Sequence, residues 1–270
     1  MLKFRKALFG ILCIIAFSLI EGCATQTETK QLDELRELKP FTTDTLSVTG
    51  LRHIALRDTA LSLGARGGLA WRAEHINKRT LRYSRYLDRT FNFNAMLLEH
   101  HVLPPVLIEG RKTLEQGGPD TLRIAERAYV INTQAQFVTT TPTWRDYILL
   151  KFMPPEKPDQ SLLPRSDMEQ QVWDRYIREG WQAGISQADS IFTENLGRLK
   201  RDYEGMIRYR TLLAQNMVSP PYVANVNLGI TGSDSELAIN DRVLRITAMP
   251  AFLQDGGKWK TEITPTKPKY

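Results

Sequence analysis

Cysteine is nearly absent from this sequence. The 270 residues contain only Cys13 and Cys23, and no cysteine follows position 23. The rest of the chain therefore cannot form a disulfide framework or a cysteine-based metal site. Exported proteins pair their cysteines or avoid them, so this usage suits an oxidising compartment, although many ordinary proteins of this length also have few cysteines.

Long hydrophobic runs are also scarce. Residues 7–20 (ALFGILCIIAFSLI) form a run of 14 residues, and no later segment is as long and apolar. A permanent membrane helix needs roughly 17 to 25 such residues. Lys3, Arg5 and Lys6 precede the run, and Glu21-Gly22-Cys23 follows it. This order is typical of a secretory signal peptide, which we predict over residues 1–22.

The end of this signal indicates a bacterial lipoprotein. A Leu/Ile-x-Gly-Cys ending predicts that Cys23 receives a diacylglycerol and, after cleavage, becomes the acylated N-terminus. Two or more acyl chains, such as palmitate, anchor a protein stably. Glu21 stands where a small or aliphatic residue is usual, so an uncut or differently cut signal is the alternative. Ala24 favours sorting to the outer membrane, with the protein facing the periplasm.

Catalytic signatures are lacking as well. The sequence contains no H-E-x-x-H, C-x-x-C, G-x-S-x-G or S-x-x-K motif and no phosphate-binding glycine loop. Two acidic or histidine clusters are weak candidates for a metal: Glu99, His100 and His101, and Asp234, Glu236 and Asp241. We therefore predict a protein that is not an enzyme and has no cofactor or metal. A periplasmic lipoprotein enzyme acting on peptidoglycan is the alternative.

What the sequence does contain is typical of a globular body behind a polar tether. It is 42% hydrophobic and 24% charged, with a formal net charge of +6. Residues 23–45 are predicted to be the lipid-anchored tether, with a short helix at 32–38. We predict a single α+β domain over 46–252, in which long helices pack with a β-hairpin and a C-terminal antiparallel strand region. Residues 253–270 are predicted to be a flexible tail.

The first helical segment, from Leu51 to about Leu87, has a basic side. Basic residues recur on it in steps of three or four: Arg72, His75, Arg79, Arg82, Arg85 and Arg89. Such a stripe is most simply a solvated helix face. The five arginines are our candidates for docking an acidic partner, and contact with DNA or phospholipid headgroups is a further alternative. Gly64, Gly67 and Gly68 indicate either a break or a close helix contact.

The second long helix is predicted from Ser166 to Asn216. Ser166 and Glu169 have the spacing of a capping box, and the apolar residues that follow recur with a period of 3.6. We expect a bend near Gly180 or Gly184. Trp173 is predicted to be a core residue, and core packing is favoured over a partner interface for Trp144 and Trp181.

Strand patterns occupy two regions. Residues 103–114 and 122–131 are predicted to pair around the turn at 117–120, with Pro104-Pro105 at the start of the sheet. Three further strands are predicted at 222–228, 235–240 and 242–248, with turns at Gly229, Gly232 and Asn240-Asp241.

Several of these segments together resemble the DotC lipoprotein family. They are GLAWR (68–72), LLEHHVLPPVLIEGRKTL (97–114), TTPTWRDYI (140–148), GMIRYRTLLAQNMVSPPYV (205–223) and LGITGSDSELAINDRVLRITAMPA (228–251). The family belongs to Dot/Icm type IVB secretion systems and to the transfer machines of I-type conjugative plasmids. Its members are lipidated at an N-terminal cysteine, which corresponds to Cys23.

The resemblance implies an outer-membrane lipoprotein that is a structural subunit of the envelope-spanning core complex. The implied partners are a DotD-like lipoprotein and a DotH-like outer-membrane subunit, which the lipoproteins help to localise, in a ring oligomer. Direct contact with nucleic acid is not expected. Secretion-system relatives extend beyond the ITAMPA segment, which leads us to expect the plasmid-conjugation branch.

Overall fold

The computed structural model describes residues 25–38 and 50–260. Helices and antiparallel strand pairs are mixed, as the α+β prediction expects. The helices are α1 (Thr25–Arg36), α2 (Gly50–Arg82), α3 (Ser84–Thr90), α4 (Trp144–Ile148) and α5 (Asp167–Ala214). The strands are β1 (Val102–Leu103), β2 (Val106–Gly118), β3 (Thr121–Thr133), β4 (Gln136–Phe137), β5 (Tyr222–Gly232) and β6 (Leu237–Ala248).

The chain divides into two compact units. Unit 1 comprises residues up to Arg85 together with Ile148–Asn195, and unit 2 comprises Tyr86–Tyr147 together with the residues from Leu196 onward. Helix α5 therefore contributes residues to both units. The single domain expected over 46–252 stays a prediction.

Glycines allow α2 and α5 to pack closely in unit 1. A Cβ atom on Gly64 would lie 2.3 Å from the carbonyl oxygen of Ile177, and one on Gly180 would lie 2.3 Å from that of Leu61. Real Cβ atoms do not approach this closely, so only glycine fits. Of the two alternatives for the α2 glycines, the close helix contact is confirmed and the break is not, because α2 continues through them. Helix α5 likewise continues without interruption through Gly180.

The start of α5 is held by a buried carboxylate. The Glu169 backbone N–H donates to Ser166 Oγ at 3.3 Å, which confirms half of the predicted capping box. The Glu169 side chain, which is only 1% exposed, accepts from the Arg165 backbone N–H and from Arg52 instead. The Arg52 guanidinium forms two parallel bonds to it, at 2.6 and 2.9 Å. These bonds hold the pKa of Glu169 below its usual range.

Helix α1 is docked on unit 1. Leu32, Leu35 and Leu38 recur on one side of the segment and pack against the core cluster that includes Trp173. The Trp173 indole N–H donates to the Leu35 carbonyl oxygen at 3.1 Å. The predicted short helix is thus confirmed but begins earlier. This part of the predicted tether is packed, because its leucines supply an apolar stripe that the tether interpretation overlooked.

In unit 2 the predicted β2–β3 hairpin is confirmed. Its strands are longer than predicted, and Pro104-Pro105 precede β2 as expected. The base of the hairpin rests on α5, where Leu107 and Tyr209 share a buried cluster. A Cβ atom on Gly205 would lie 2.5 Å from Val106 Cγ1, so this helix glycine also permits close packing. Burial raises the pKa of Tyr209 to about 12.

The C-terminal strands are two and not three. Strand β5 runs through Gly229, and β6 runs through Asn240, each with positive φ at a register shift in the pairing. Of the predicted turns, the one at Gly232 is confirmed, because β5 ends there and the Ser233 N–H donates to the Glu236 carbonyl oxygen in the turn at 233–236. The turns predicted at Gly229 and Asn240 are wrong, because glycine and asparagine tolerate the same left-handed backbone in bulges.

The end of α5 is capped by local backbone bonds. Asn216 has a φ of 56°, and the N–H groups of Asn216 and Met217 donate to the carbonyl oxygens of Leu213 and Leu212. This is the Schellman arrangement, with asparagine in the left-handed position. It ends the helix within two residues of the predicted end.

Part of the predicted flexible tail is hydrogen-bonded to this helix end. The Leu253 N–H donates to the Met217 carbonyl oxygen at 2.9 Å, and the Lys260 N–H donates to that of Gln215 at 2.8 Å. Residues 253–260 are therefore bound because they satisfy backbone groups left free where α5 ends. Residues 261–270 lie outside the described residues. Within the described ranges, no helix has the length and apolar character needed to cross a bilayer.

Candidate docking surface

The predicted lipidation site and signal peptide, Cys23 and residues 1–22, lie outside the described residues. The other predicted site residues, the five arginines, are all described. The structure places them on two helices, because α2 ends at Arg82 and α3 begins at Ser84. At the junction, the Tyr83 N–H donates to the Thr80 carbonyl oxygen at 3.0 Å. The helical segment predicted from Leu51 to about Leu87 is therefore present, with an interruption at Tyr83.

The beginning of the basic stripe has a structural role inside unit 1. Arg72 Nε lies 2.8 Å from Asp189 Oδ1, and the Arg72 side chain is mostly covered. His75 Nδ1 lies 3.0 Å from the Trp71 carbonyl oxygen, and the two rings are 4.2 Å apart. These contacts join α2 to α5 and order the helix surface, so neither residue is a free docking group.

The end of the stripe is different. Arg82, Arg85 and Arg89 are exposed, and Arg79 is partly buried. None of the four forms an ion pair with another residue in the described part of the chain. Their charges are therefore available to an acidic partner. Arg79, Arg82 and Arg85 belong to unit 1, and Arg89 belongs to unit 2. We use the name arginine cluster for these four residues because they share the lack of an ion pair within the described part of the chain.

Helix α3, which carries Arg85 and Arg89, is fixed by the residues between them. Leu87 is buried, and Asp88 accepts hydrogen bonds from the Trp144 indole and the Arg145 guanidinium, both at 2.7 Å. The bonds from Arg145 and then Trp144 hold the pKa of Asp88 below its usual range, so it stays ionised near neutral pH. These contacts orient Arg89 within unit 2.

The structure also confirms core roles for Trp144, Trp173 and Trp181, because all three side chains are buried.

A second charged surface in unit 2 was missed by the sequence analysis. A shallow cavity of about 320 Å³ lies between residues 107–109 and residues 197–208 of α5. Glu109 occupies its wall and accepts from Arg111 at 2.9 Å, with Arg208 Nε at 3.5 Å. The Arg111 bond, with both guanidinium charges, lowers the pKa of Glu109. The charges of Glu109, Arg111 and Arg208 are thus largely neutralised within unit 2. The sequence gives no signal for this surface, because strand β2 and helix α5 are far apart along the chain.

The two clusters that were weak candidates for a metal site do not bring their side chains together in the described part of the chain. His100 and His101 both have a φ of 58° in a short 3₁₀ turn and are exposed beside Glu99. Asp241 accepts from Thr231 Oγ1 at 2.6 Å, whereas Asp234 and Glu236 lie in the turn between β5 and β6. Among residues 25–38 and 50–260, no three histidine, cysteine or acidic side chains are grouped closely enough to hold a metal ion.

Residues 50–261 match the model of a protein family described as type IV secretory system, conjugal DNA-protein transfer. The match covers more than three quarters of the chain. The chain belongs to this family. The matched range includes helices α2–α5, the six described strands, which all lie in unit 2, and the arginine cluster. It begins after α1 and Cys23. A search of curated proteins gave no significant match.

The family assignment does not name the subunit. Arg82, Arg85 and Arg89 are exposed in the described part of the chain, and so are large apolar side chains on both hairpins, such as Leu114 and Ile230.

Proposed function

We propose that this protein is a non-enzymatic structural subunit of the core complex of a type IVB secretion or conjugative transfer system. The family match over residues 50–261 carries the proposal. The segments that resemble the DotC family narrow it to the outer-membrane lipoprotein of that complex, and all five lie within the matched residues.

The proposed anchor is Cys23. Acyl chains on this residue hold the body at the inner leaflet of the outer membrane, on its periplasmic side. The charged n-region, the 14-residue apolar run and the Gly22-Cys23 ending support this assignment. Helix α1 begins two residues after Cys23 and packs on unit 1. This short connection would keep unit 1 near the membrane surface.

The proposed partners are a DotD-like lipoprotein and a DotH-like outer-membrane subunit, with copies of the chain arranged in a ring. The arginine cluster supports a contact with an acidic partner surface. Charge complementarity of this kind contributes to specificity and to the association rate more than to affinity. In this proposal the protein helps to assemble or localise the outer-membrane partner.

The test is membrane fractionation and a conjugation assay of the full-length chain carrying Cys23→Ser. We expect the variant to leave the outer-membrane fraction and DNA transfer to fall strongly. Cys13→Ser is the matched control, because it changes the other cysteine within the signal and should alter neither readout. If Cys23→Ser reached the outer membrane and supported transfer unchanged, the lipid-anchored function would be refuted. Wall-degrading activity of the purified chain would instead favour the peptidoglycan enzyme.

A further inference from the structure

Helix α1 lies in a groove of unit 1. Leu32 and Leu35 on α1, with Leu38 just beyond its end, pack against a buried cluster. That cluster consists of Leu56, Ala60, Leu63, Leu163, Trp173 and Ile177. Gly67 on α2 leaves the space for Leu35, because a Cβ atom there would lie 2.6 Å from Leu35 Cδ1. We call this surface of α2 and α5, with Leu163, the α1 groove.

Side chains of α5 also bind the C-terminal end of α1. The last carbonyl oxygens of a helix have no partner within it. The Trp173 indole N–H donates to the Leu35 carbonyl oxygen at 3.1 Å, and the Gln170 amide donates to that of Arg36 at 2.7 Å. The Arg36 guanidinium also lies 3.5 Å from Asp174 Oδ2, in a weak and partly exposed ion pair. The groove therefore binds backbone groups of α1 as well as its leucines.

The helical state of α1 depends on this contact. A helix alone in water is marginal below about 12 to 15 residues, and α1 has 12. Its apolar side is covered by α2 and α5, and α5 supplies the donors at its C-terminal end. A change that removes α1 from the groove should therefore also unfold it.

Docking of α1 shortens the path between Cys23 and unit 1. Because α1 begins at Thr25, only Cys23 and Ala24 lie between the acylated position and the docked helix. Two residues span at most about 7 Å. Without docking, the path would run from Cys23 to the start of α2 at Gly50, and a chain of that length can reach about 90 Å.

We propose that the α1 groove fixes the distance between the lipid anchor and unit 1. The link runs from Cys23 through α1 into α2 and α5, and it bypasses residues 39–49. Partner subunits then meet unit 1 at a constant distance from the membrane. This inference rests on the proposed function in taking Cys23 to be acylated, and it adds a binding site for the tether and a requirement on its length.

Amide hydrogen exchange of the purified full-length chain tests the docking itself. Leu35→Asp should raise the exchange rate of the α1 amides by about tenfold, because a partly buried leucine contributes about this factor to docking. Gln31→Asp is the matched control, since it adds the same charge to the exposed side of the same helix, and it should leave the exchange rate unchanged. The same exchange rate in both variants would overturn the proposal, because the groove would then not hold α1.

Insertions on the two sides of α1 test the length requirement. One variant carries about ten glycine and serine residues after Ala24, which add a mean reach of about 18 Å, and the other carries the same insertion after Thr43. The first insertion lies between the anchor and the docked helix, so conjugative transfer and co-purification with envelope partners should fall strongly. The second lies in the bypassed segment, so both readouts should match those of the unsubstituted chain.

The same insertion after Thr43 should become harmful in the Leu35→Asp chain, because residues 39–49 then carry the link. Equal losses from the two insertions in the otherwise unchanged chain would overturn the proposal in favour of total tether length. No loss from either would show that the distance is not fixed.

Failure of this inference is distinguishable from failure of the proposed function. All of these variants retain Cys23 and Ala24, so they should remain in the outer-membrane fraction whatever their effect on transfer. The proposed function fails instead when Cys23→Ser leaves localisation and transfer unchanged, and the exchange measurement on α1 does not depend on that result.

Discussion

At the scale of single residues, the ion pair between Arg52 and the buried Glu169 holds unit 1 at the start of α5. It connects the first turn of α5 to α2, and Arg52 also donates to the carbonyl oxygens of Ser161 and Leu163. The two bonds from the Arg52 guanidinium to Glu169 are charge-assisted, whereas the bond from the Arg165 backbone N–H needs only an acceptor oxygen. The sequence shows a capping residue at this position, but only the fold brings the arginine to it.

We predict that Glu169→Gln destabilises the protein by on the order of 3 kcal/mol at neutral pH, because Arg52 then loses its buried counter-charge. The folded-state pKa of Glu169 lies below its unfolded value. Its contribution is therefore complete above the unfolded pKa of about 4.3 and is lost as the pH falls through the folded pKa. Chemical unfolding of variant and wild type across pH 3–7 should show a difference that shrinks towards low pH.

The control for this prediction is Asp58→Asn. Asp58 forms an ion pair with Arg57 at 2.9 Å, but both side chains are exposed. Removing such a pair costs between about 0 and 1 kcal/mol. A loss for Glu169→Gln that stayed constant down to pH 3 would show that shape, and not charge, is what Glu169 contributes.

At the scale of elements, the two long helices are defined by small residues as much as by apolar ones. A Cβ atom on Gly184 would lie 2.1 Å from the Ala65 carbonyl oxygen and 2.7 Å from the Leu69 nitrogen. Gly197 is on the same helix, and a Cβ atom there would meet nothing within 4 Å. The two glycines thus have opposite environments within one element.

We predict opposite effects for Gly184→Ala and Gly197→Ala. The first should destabilise the protein by about 1–3 kcal/mol, because the added methyl group forces α2 and α5 apart. The second should stabilise it by about 0.5–1 kcal/mol, because alanine has the better helix propensity and no contact is strained. Denaturant unfolding measures both changes. Equal stabilisation by the two substitutions would contradict the close helix contact.

At the scale of the whole molecule, the arginines that form no ion pair within the described chain are the ones we propose to bind an acidic partner. Arg72 is paired with Asp189, whereas Arg82, Arg85 and Arg89 have no ion-pair partner among the described residues. The predicted stripe therefore contains one structural arginine and a separate arginine cluster. If that cluster binds an acidic subunit, its loss should affect assembly and leave folding intact.

We predict that the triple substitution Arg82→Glu, Arg85→Glu and Arg89→Glu weakens co-purification with envelope partners and leaves the melting temperature almost unchanged. Arg66→Glu, which reverses another exposed arginine on α2, is the matched control and should retain the partners. The full-length chain should not retard DNA below micromolar concentration. Salt-dependent retardation that the triple substitution abolished would assign the cluster to nucleic acid.

Features that depend on neighbouring residues follow from the amino-acid sequence alone. Periodicity gave α2 and α5, the Ser166 cap gave the start of α5, and the spacing around residues 117–120 gave the β2–β3 hairpin. The predictions were wrong where the same local residue type is compatible with two different structures. Gly229 and Asn240 occupy bulges and not turns, since both settings use a positive φ, and the leucines of α1 were hidden in a polar segment.

The contacts of each side chain, in contrast, are set by the packing of the folded chain. It paired Arg52 with Glu169, assigned Arg72 to Asp189, placed Glu109 beside Arg208, and left large apolar side chains of both hairpins exposed. Such contacts join residues about 100 positions apart, and exposure is a property of the packed chain. Local propensity extends over a few residues, so the sequence determined the elements and the family resemblance, while packing decided which surfaces remain available to other molecules.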